Sequence, residues 1–150
     1  MKQIKAIPKL VFDEHFTDKE FKYYNYACFI SILDIDNNEK KFDKSIDNFL
    51  QVKMWDIEED LFENGELKYE KPNDNELKMI VDFINKHKDK SVFMVHCSAG
   101  ISRSGAVATF LYDKFLSEID KEQFRRENKY IRPNLYILNR LKSLDTVVLE

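Results

Sequence analysis

The chain has 150 residues, of which 24 are basic and 27 are acidic, and its formal net charge at pH 7 is −3. This mildly acidic balance does not favour nucleic acid or a membrane surface as a partner, because both attract basic surfaces, and no apolar run approaches the ~20 residues of a membrane span. The first ten residues lack the apolar stretch of a signal peptide and the two cysteines are far apart, so we expect a cytoplasmic protein with reduced thiols. Because 150 residues is a typical size for one domain, we expect a single domain over residues 1–150.

The first two predicted elements lie before residue 25. The segment IKAIPKLVF, residues 4–12, predicts a strand, and Pro8 within it indicates a sheet edge, because proline cannot donate a hydrogen bond to a neighbouring strand. Thr17 and Glu20 have the spacing of a capping box, which predicts a short helix through Tyr24.

Two further strands are predicted before the middle of the chain. The apolar, β-rich segment ACFISILDI, residues 27–35, predicts a strand that ends in the turn-prone residues 34–38. In residues 48–55 the apolar side chains alternate: Leu50, Val52 and Met54 share one face, as in a strand. An acidic stretch follows, and Asn64-Gly65 then predicts a turn.

The clearest helix is predicted in the middle of the chain. Its apolar residues recur at the spacing of one buried helix face: Leu77, Ile80, Val81 and Ile84. Asn73 and Glu76 can satisfy the first free amides of this helix. The continuous apolar run over residues 91–95 predicts a central strand.

Three more helices are predicted after this strand, over residues 103–116, 121–128 and 133–144. The order of strands and helices predicts an α/β fold, with a short, mostly parallel central sheet flanked by helices.

The segment VHCSAGISRSG, residues 95–105, contains two of the three glycines in the chain. It is predicted to leave the central strand at His96, to form a loop over residues 97–102 and to begin a helix near Arg103. Ligands of open α/β sheets bind at such carboxyl ends of strands, where the unpaired amides of a loop and of a helix N-terminus attract an anion. Because Arg103 can donate to two phosphate oxygens at once, the segment is predicted to bind a phosphate.

Cys97 lies in the same electropositive loop. Such surroundings lower the pKa of a thiol and favour the thiolate, which is the nucleophilic form. Ser104 can donate a hydrogen bond to the sulfur. If the thiolate attacks a bound phosphate ester and forms a cysteinyl phosphate, this hydrogen bond would help the thiolate to depart when water breaks the bond between sulfur and phosphorus. His96 is expected to fix the loop through hydrogen bonds to its backbone rather than to act as a base.

The segment HCSAGISRS resembles the signature of the cysteine-based protein tyrosine phosphatases, in which His-Cys is followed by five residues, Arg and Ser or Thr. It is most similar to their compact dual-specificity and prokaryotic or viral branch. The resemblance implies a protein tyrosine phosphatase-like fold, a cysteinyl-phosphate intermediate, no metal or cofactor, and a phosphorylated protein or peptide as substrate; we expect a monomer. It assigns Cys97, Arg103 and Ser104 to catalysis. The implied substrate-binding residues are Ser98, Ala99, Gly100, Ile101, Ser102 and Arg103.

The family also uses an aspartate on a separate upstream loop as general acid. Asp56 follows a predicted strand and stands 41 residues before Cys97. The resemblance implies that it protonates the leaving oxygen and then deprotonates the attacking water. The tryptophan-proline-aspartate triplet of large members is absent, since Trp55 directly precedes Asp56, and the competing carboxylates are Glu58, Glu59 and Asp60.

Two alternatives to a protein phosphatase stay open: a phospho-binding module of the same fold without catalysis, and a phosphoinositide or RNA 5′-phosphatase. The signature loop offers no basic side chain before Arg103 for a highly charged substrate. Cys28 is expected to be a core residue, although the resemblance leaves open a protective disulfide with Cys97. Asn134, in the segment IRPN, is a candidate for supporting the site. The basic cluster of the last third is expected to be a solvated helix face: Arg125, Arg126, Lys129 and Arg132.

Overall fold

The structure is a computed structural model that describes residues 2–145. Its centre is a four-stranded sheet in the order β1-β6-β2-β3, and all three neighbouring pairs run parallel. These strands are β1 (Gln3–Pro8), β2 (Ala27–Leu33), β3 (Phe49–Lys53) and β6 (Val92–Cys97). The prediction of an α/β fold with a mostly parallel central sheet is confirmed.

The first predicted strand is partly wrong. The strand β1 lies at the sheet edge, as Pro8 indicates, but it ends at Pro8 and the helix α1 (Lys9–His15) follows at once. Phe12 is fully buried, whereas Leu10 is 77% exposed, so the segment buries one side chain per turn rather than every second one. A short apolar run fits a strand or a helix equally well, and its burial pattern here is that of a helix.

The predicted elements between residues 17 and 55 are confirmed with slightly different ends. The helix α2 (Asp18–Tyr23) begins after the capping box of Thr17 and Glu20. Every residue of β2 is buried, because this strand pairs on both sides, with β6 and with β3. The predicted turn after it contains a backbone hydrogen bond from the Asn37 amide to the Asp34 carbonyl, 3.0 Å long.

The turn at Asn64-Gly65 joins a small antiparallel hairpin of β4 (Leu61–Glu63) and β5 (Glu66–Tyr69). Both turn residues have positive φ, 54° and 81°, which is the conformation of a type I′ hairpin turn. The sequence predicts the turn but not the two strands. Tyr69 packs edge-on against Trp55 with ring centroids 5.0 Å apart, which ties the hairpin to the end of the β3 segment.

The predicted helices of the second half are all present. They are α3 (Asp74–Lys86), α4 (Arg103–Phe115), α5 (Lys121–Glu127, preceded by a 3-10 turn over Glu118–Asp120) and α6 (Leu135–Asp145). The Asn73 side chain accepts a hydrogen bond from the Glu76 amide, as its spacing predicts. The last helix begins two residues later than predicted, because Asn134 rather than Pro133 stands at its start.

The helices form a layer on each face of the sheet. On one face α3, α4 and α6 pack together over the larger core cluster, which includes Val95 and Ile30 of the central strands. On the other face Phe12 of α1 and Phe21 of α2 pack on Phe29 and Phe49. None of the helices within residues 2–145 is both long and apolar enough to cross a membrane.

Candidate active site

The segment His96–Gly105 lies where the parallel topology predicts a ligand site, at the carboxyl end of the central strand β6. We call residues 97–103 the signature loop. Its sharpest bend is at Gly100, where φ is +74°. A Cβ atom at this position would lie 2.5 Å from the Ile7 carbonyl carbon and 2.6 Å from the Pro8 nitrogen, which are backbone atoms of β1. Glycine is therefore required both for the bend and for the close approach of the edge strand.

Several backbone carbonyls of the signature loop accept hydrogen bonds from outside the loop. Backbone amides of neighbouring segments donate to three of them: Lys9 to Ser98 at 3.1 Å, Arg132 to Ile101 at 2.9 Å, and Asn134 to Ser102 at 3.1 Å. A trans peptide points its N–H opposite to its C=O. The N–H groups that follow these carbonyls therefore point away from the neighbouring segments, an arrangement that suits an anion-binding nest.

Cys97 is buried in this loop and is 3% exposed. Burial alone raises the pKa of its thiol, but hydrogen bonds outweigh burial and the pKa lies below the ordinary value. The donors are the Ser104 hydroxyl, with its oxygen 3.1 Å from the sulfur, and the backbone amides of Ser104 and Gly100. The charge of Arg103 acts in the same direction. These groups stabilise a thiolate.

Arg103 is 4% exposed, and its guanidinium is fixed by three acceptors. Its Nη1 donates to the Met54 carbonyl at 2.6 Å and pairs with Asp34 Oδ1 at 2.7 Å. Its Nη2 donates to the Ser98 hydroxyl at 3.1 Å. Its Nε is buried and has no hydrogen-bond partner within residues 2–145. An unused buried N–H of a cation is costly, and an anion held in the loop would satisfy it.

His96 supports the first residue of the signature loop as a neutral side chain. Burial lowers its pKa to about 4. Its Nδ1 lies 3.3 Å from the Cys97 carbonyl, which can only accept, so the proton is on Nδ1. Its Nε2 then accepts a hydrogen bond from the Ser31 hydroxyl of β2 at 2.6 Å. The ring also packs on Phe12 with centroids 4.2 Å apart, so both β2 and α1 hold it in place.

Asp56 lies against the signature loop, although 41 residues separate it from Cys97. Its Oδ1 accepts hydrogen bonds from the Ser102 hydroxyl at 2.8 Å and from Asn134 Nδ2 at 3.0 Å. The same Asn134 amide group donates to the Ile57 carbonyl at 3.1 Å. We call residues 56–60 the acid loop. Of its four carboxylates, Asp56 is the one that is hydrogen-bonded to the signature loop.

The other three carboxylates of the acid loop are placed differently. Glu58 accepts hydrogen bonds from the first amides of α6, and Asp60 accepts one from the Lys71 amide at 2.9 Å. Glu59 is exposed. A cavity of about 540 Å³ opens between these elements. Its lining consists of residues 56–59, Leu61, Ser102, Pro133 and Asn134.

Cys28 cannot form a disulfide with Cys97 in this fold. In the register of β2 with β6, Cys28 lies opposite Phe93, and Cys97 is four residues further along β6. Four strand residues span about 13 Å, whereas the Cα atoms of a disulfide are at most ~7 Å apart. Burial raises the pKa of Cys28 to about 12, which suits a core residue. The part of the chain that the structure describes holds no group of three or more His, Cys, Asp or Glu side chains arranged for a metal ion.

The residues that the sequence assigns to the site thus lie together in the structure. Two further residues at the site were missed, Asp34 and Ser31, and Glu58, considered only as a competitor of Asp56, makes a contact that was not predicted. Asp34 pairs with Arg103, Ser31 orients His96, and Glu58 binds the start of α6. A signal for Asp34 exists in the sequence, because it directly follows β2 and the carboxyl ends of neighbouring parallel strands meet at one edge of the sheet. Asn134 lies within hydrogen-bond distance of Asp56.

Comparison with protein families gives one family model, Protein-tyrosine phosphatase, which matches residues 10–132. A similar viral protein is named "Putative tyrosine-protein phosphatase AMV078" and comes from Amsacta moorei entomopoxvirus. It is 26% identical over 129 residues, which cover 79% of this chain and 67% of the viral protein.

Solved structures share the fold at low sequence identity. Human DUSP28 superposes with a TM-score of 0.56 at 12% identity, over 97% of this chain and 92% of its own. PTPMT1 in complex with PI(5)P gives 0.54 at 16% identity, over 97% and 91% of the two chains. The PTP-2 phosphatase of Cydia pomonella gives 0.53 at 15% identity, over 95% and 86%. These likenesses show the fold of the chain.

Proposed function

The chain belongs to the protein-tyrosine phosphatase family, and on that premise we propose that it hydrolyses phosphotyrosine in proteins through a cysteinyl-phosphate intermediate. The observation that carries the proposal is the pairing of two buried groups in one loop. Cys97 has a lowered thiol pKa, and Arg103 keeps an unused, buried Nε–H beside it. A phosphate ester supplies both the electrophile that a thiolate attacks and the anion that the guanidinium needs.

In the first step the phosphate group binds in the concave side of the signature loop, between backbone N–H groups and Arg103. The Cys97 thiolate attacks phosphorus, so that the S–P bond forms while the bond from phosphorus to the tyrosine oxygen breaks. Protonated Asp56 gives its proton to that oxygen and becomes a carboxylate. The leaving group is thus a neutral phenol rather than a phenolate.

In the second step water hydrolyses the cysteinyl phosphate. The Asp56 carboxylate takes a proton from the water, whose oxygen attacks phosphorus while the P–S bond breaks. Phosphate leaves, and Cys97 returns to the thiolate that Ser104 and the amides of Gly100 and Ser104 stabilise. Both steps use the same protein groups, so the site needs no further reagent than water.

The test is hydrolysis of para-nitrophenyl phosphate and of a phosphotyrosine peptide by three variants. We expect Cys97→Ser to abolish turnover, and Asp56→Asn to lower kcat by ~10²-fold or more, the usual contribution of a general acid. Asp60→Asn is the matched control, because its carboxylate is in the same loop but binds the Lys71 amide. Full activity of Asp56→Asn across the pH range would show that another group is the acid.

The same assay separates the rival functions. A folded wild-type protein that binds phosphopeptides without releasing phosphate would be a binding module. If phosphate is released faster from phosphoinositides or RNA 5′-ends than from any phosphopeptide, the substrate is one of these molecules and not a protein. We expect the opposite order, because residues 98–102 contribute no basic side chain to a multiply charged substrate. Phosphoserine and phosphothreonine peptides in the same panel measure how strictly the site requires an aryl ester.

A further inference from the structure

The acid loop is bound to the start of helix α6 by the carboxylate of Glu58. Glu58 Oε1 accepts hydrogen bonds from the backbone amides of Leu135 at 3.1 Å and Tyr136 at 3.3 Å. Asn134 Oδ1 accepts from the next amide, that of Ile137, at 3.0 Å. The first N–H groups of α6 therefore find their acceptors in two side chains.

This contact is favourable for reasons of both hydrogen bonding and charge. The first amides of a helix have no partner within the helix, and the N-terminus carries a partial positive charge that attracts an anion. Glu58 meets both conditions although it lies 77 residues away from Leu135 in sequence. Because the carboxylate is engaged in this way, it is not positioned to protonate a substrate bound in the signature loop.

The same end of α6 also holds the residues next to Glu58. Asn134 Nδ2 donates to Asp56 Oδ1 at 3.0 Å and to the Ile57 carbonyl at 3.1 Å. Residues 56, 57 and 58 are thus each hydrogen-bonded to residues 134–136. A change that releases Glu58 removes two of the hydrogen bonds that fix this short segment and leaves the Asp56 carboxylate less constrained.

We infer that Glu58 is a positioning residue: by binding the N-terminus of α6, it holds Asp56 against the signature loop before substrate arrives. This inference rests on the proposed function, in which Asp56 is the general acid. Its consequence is that the acid is already in place in the free protein, so that substrate binding does not have to carry the acid loop into position.

The experiment compares Glu58→Ala and Glu58→Gln with the wild type on two substrates, phenyl phosphate and para-nitrophenyl phosphate. The measured quantity is kcat/KM, which reports on formation of the cysteinyl phosphate. Phenol is a poor leaving group that needs a proton, whereas para-nitrophenol is more acidic and needs it less. Loss of acid positioning therefore lowers kcat/KM more for phenyl phosphate than for para-nitrophenyl phosphate, whereas partial unfolding lowers both values of kcat/KM by the same factor.

We expect Glu58→Ala to lower kcat/KM about three- to tenfold more for phenyl phosphate than for para-nitrophenyl phosphate, from the loss of one charged helix-terminal contact. Glu58→Gln keeps the carbonyl acceptor and should restore part of the loss. Glu66→Ala is the control, because Glu66 is an exposed carboxylate of the adjacent hairpin. Equal losses on the two substrates, or none, would overturn the inference.

A second measurement does not depend on catalysis. Trp55 is the single tryptophan of the chain and directly precedes Asp56. We expect acrylamide to quench its fluorescence more strongly in Glu58→Ala than in the wild type or in Glu66→Ala. Should the wild type hydrolyse neither ester, the proposed function fails, and quenching alone decides whether Glu58 holds the loop: unchanged quenching in Glu58→Ala contradicts the inference, and increased quenching supports it.

Discussion

Two glycines offer a matched pair for testing why the signature loop needs Gly100. Gly100 and Gly65 both have positive φ, 74° and 81°, so alanine at either position carries the cost of the left-handed conformation. They differ in their surroundings. A Cβ at Gly65 would meet no atom within 4 Å, whereas a Cβ at Gly100 would lie 2.5 Å from the Ile7 carbonyl carbon. The difference between the two alanine variants therefore measures the contact with β1.

The left-handed conformation costs an alanine about 1–2 kcal/mol, and the reduced entropy of the unfolded chain returns about 0.4–1 kcal/mol of this. We expect Gly65→Ala to lose about 1 kcal/mol in the free energy of unfolding. Gly100→Ala should lose about 2–4 kcal/mol, because overpacking adds about 1–3 kcal/mol when atoms have to move. The atoms that it meets belong to the backbone, which cannot rotate away as a flexible side chain can.

Urea denaturation measures the loss in the free energy of unfolding for each variant. The value of kcat/KM for para-nitrophenyl phosphate reports whether the loop that holds Cys97 keeps its conformation. A domain of this size has about 5–15 kcal/mol of stability, so Gly100→Ala should remain folded enough to assay. We expect it to lose most of its activity, since relief of the clash displaces the loop that holds Cys97, while Gly65→Ala keeps its activity. Equal stability losses with full activity in both variants would refute this account of the loop.

Two further predictions concern protonation. Iodoacetate should alkylate Cys97 at pH values below ~8.5, the usual pKa of a thiol, because hydrogen bonds from Ser104 and Gly100 lower the pKa of Cys97 despite its burial. Cys28 should not react, because burial raises its pKa to about 12. Equal labelling of the two cysteines would contradict this. The pKa of His96 is about 4 in the folded protein against an ordinary 6.5, so only the unfolded chain gains a proton as the pH falls between these values. Over that pH interval the free energy of unfolding of the wild type should fall by about 3 kcal/mol more than that of His96→Asn. If the free energies of unfolding of the two proteins instead change in parallel with pH, His96 is not buried as a neutral ring.

Local patterns were sufficient for the elements whose stability is decided by neighbouring residues. The helix α3 follows from apolar residues on one face and from Asn73 directly before its first residue, and both signals are local in sequence. The signature loop is local in the same sense, because Cys97, Gly100, Arg103 and Ser104 stand within eight residues. Their types alone indicate a backbone curved around an anion.

Predictions failed where distant parts of the chain decide the outcome. The residues after Pro8 are apolar and suit a strand, but the chain turns into a helix whose Phe12 fills the space between Phe29 and Phe49. Asp34 lies in a turn, as predicted, but its pairing with Arg103 was not predicted, because it depends on which strands are neighbours in the sheet. The role of Glu58 depends on where α6 begins, 77 residues later. No spacing rule along the chain reports such contacts.

The short segment between α5 and α6 links the two halves of the proposed reaction. Its backbone amides at Arg132 and Asn134 bind the signature loop, and its Asn134 side chain binds the acid loop. A nucleophile and an acid must act on one phosphate group at the same time, and a displacement of about 1 Å can cost ~10²-fold in rate. Asp56 and Cys97 are separated in sequence by the hairpin, α3 and β6. Besides the Ser102–Asp56 hydrogen bond, the segment between α5 and α6 binds both loops, so residues far from the signature motif, at 132–136, contribute to how the two loops are held together.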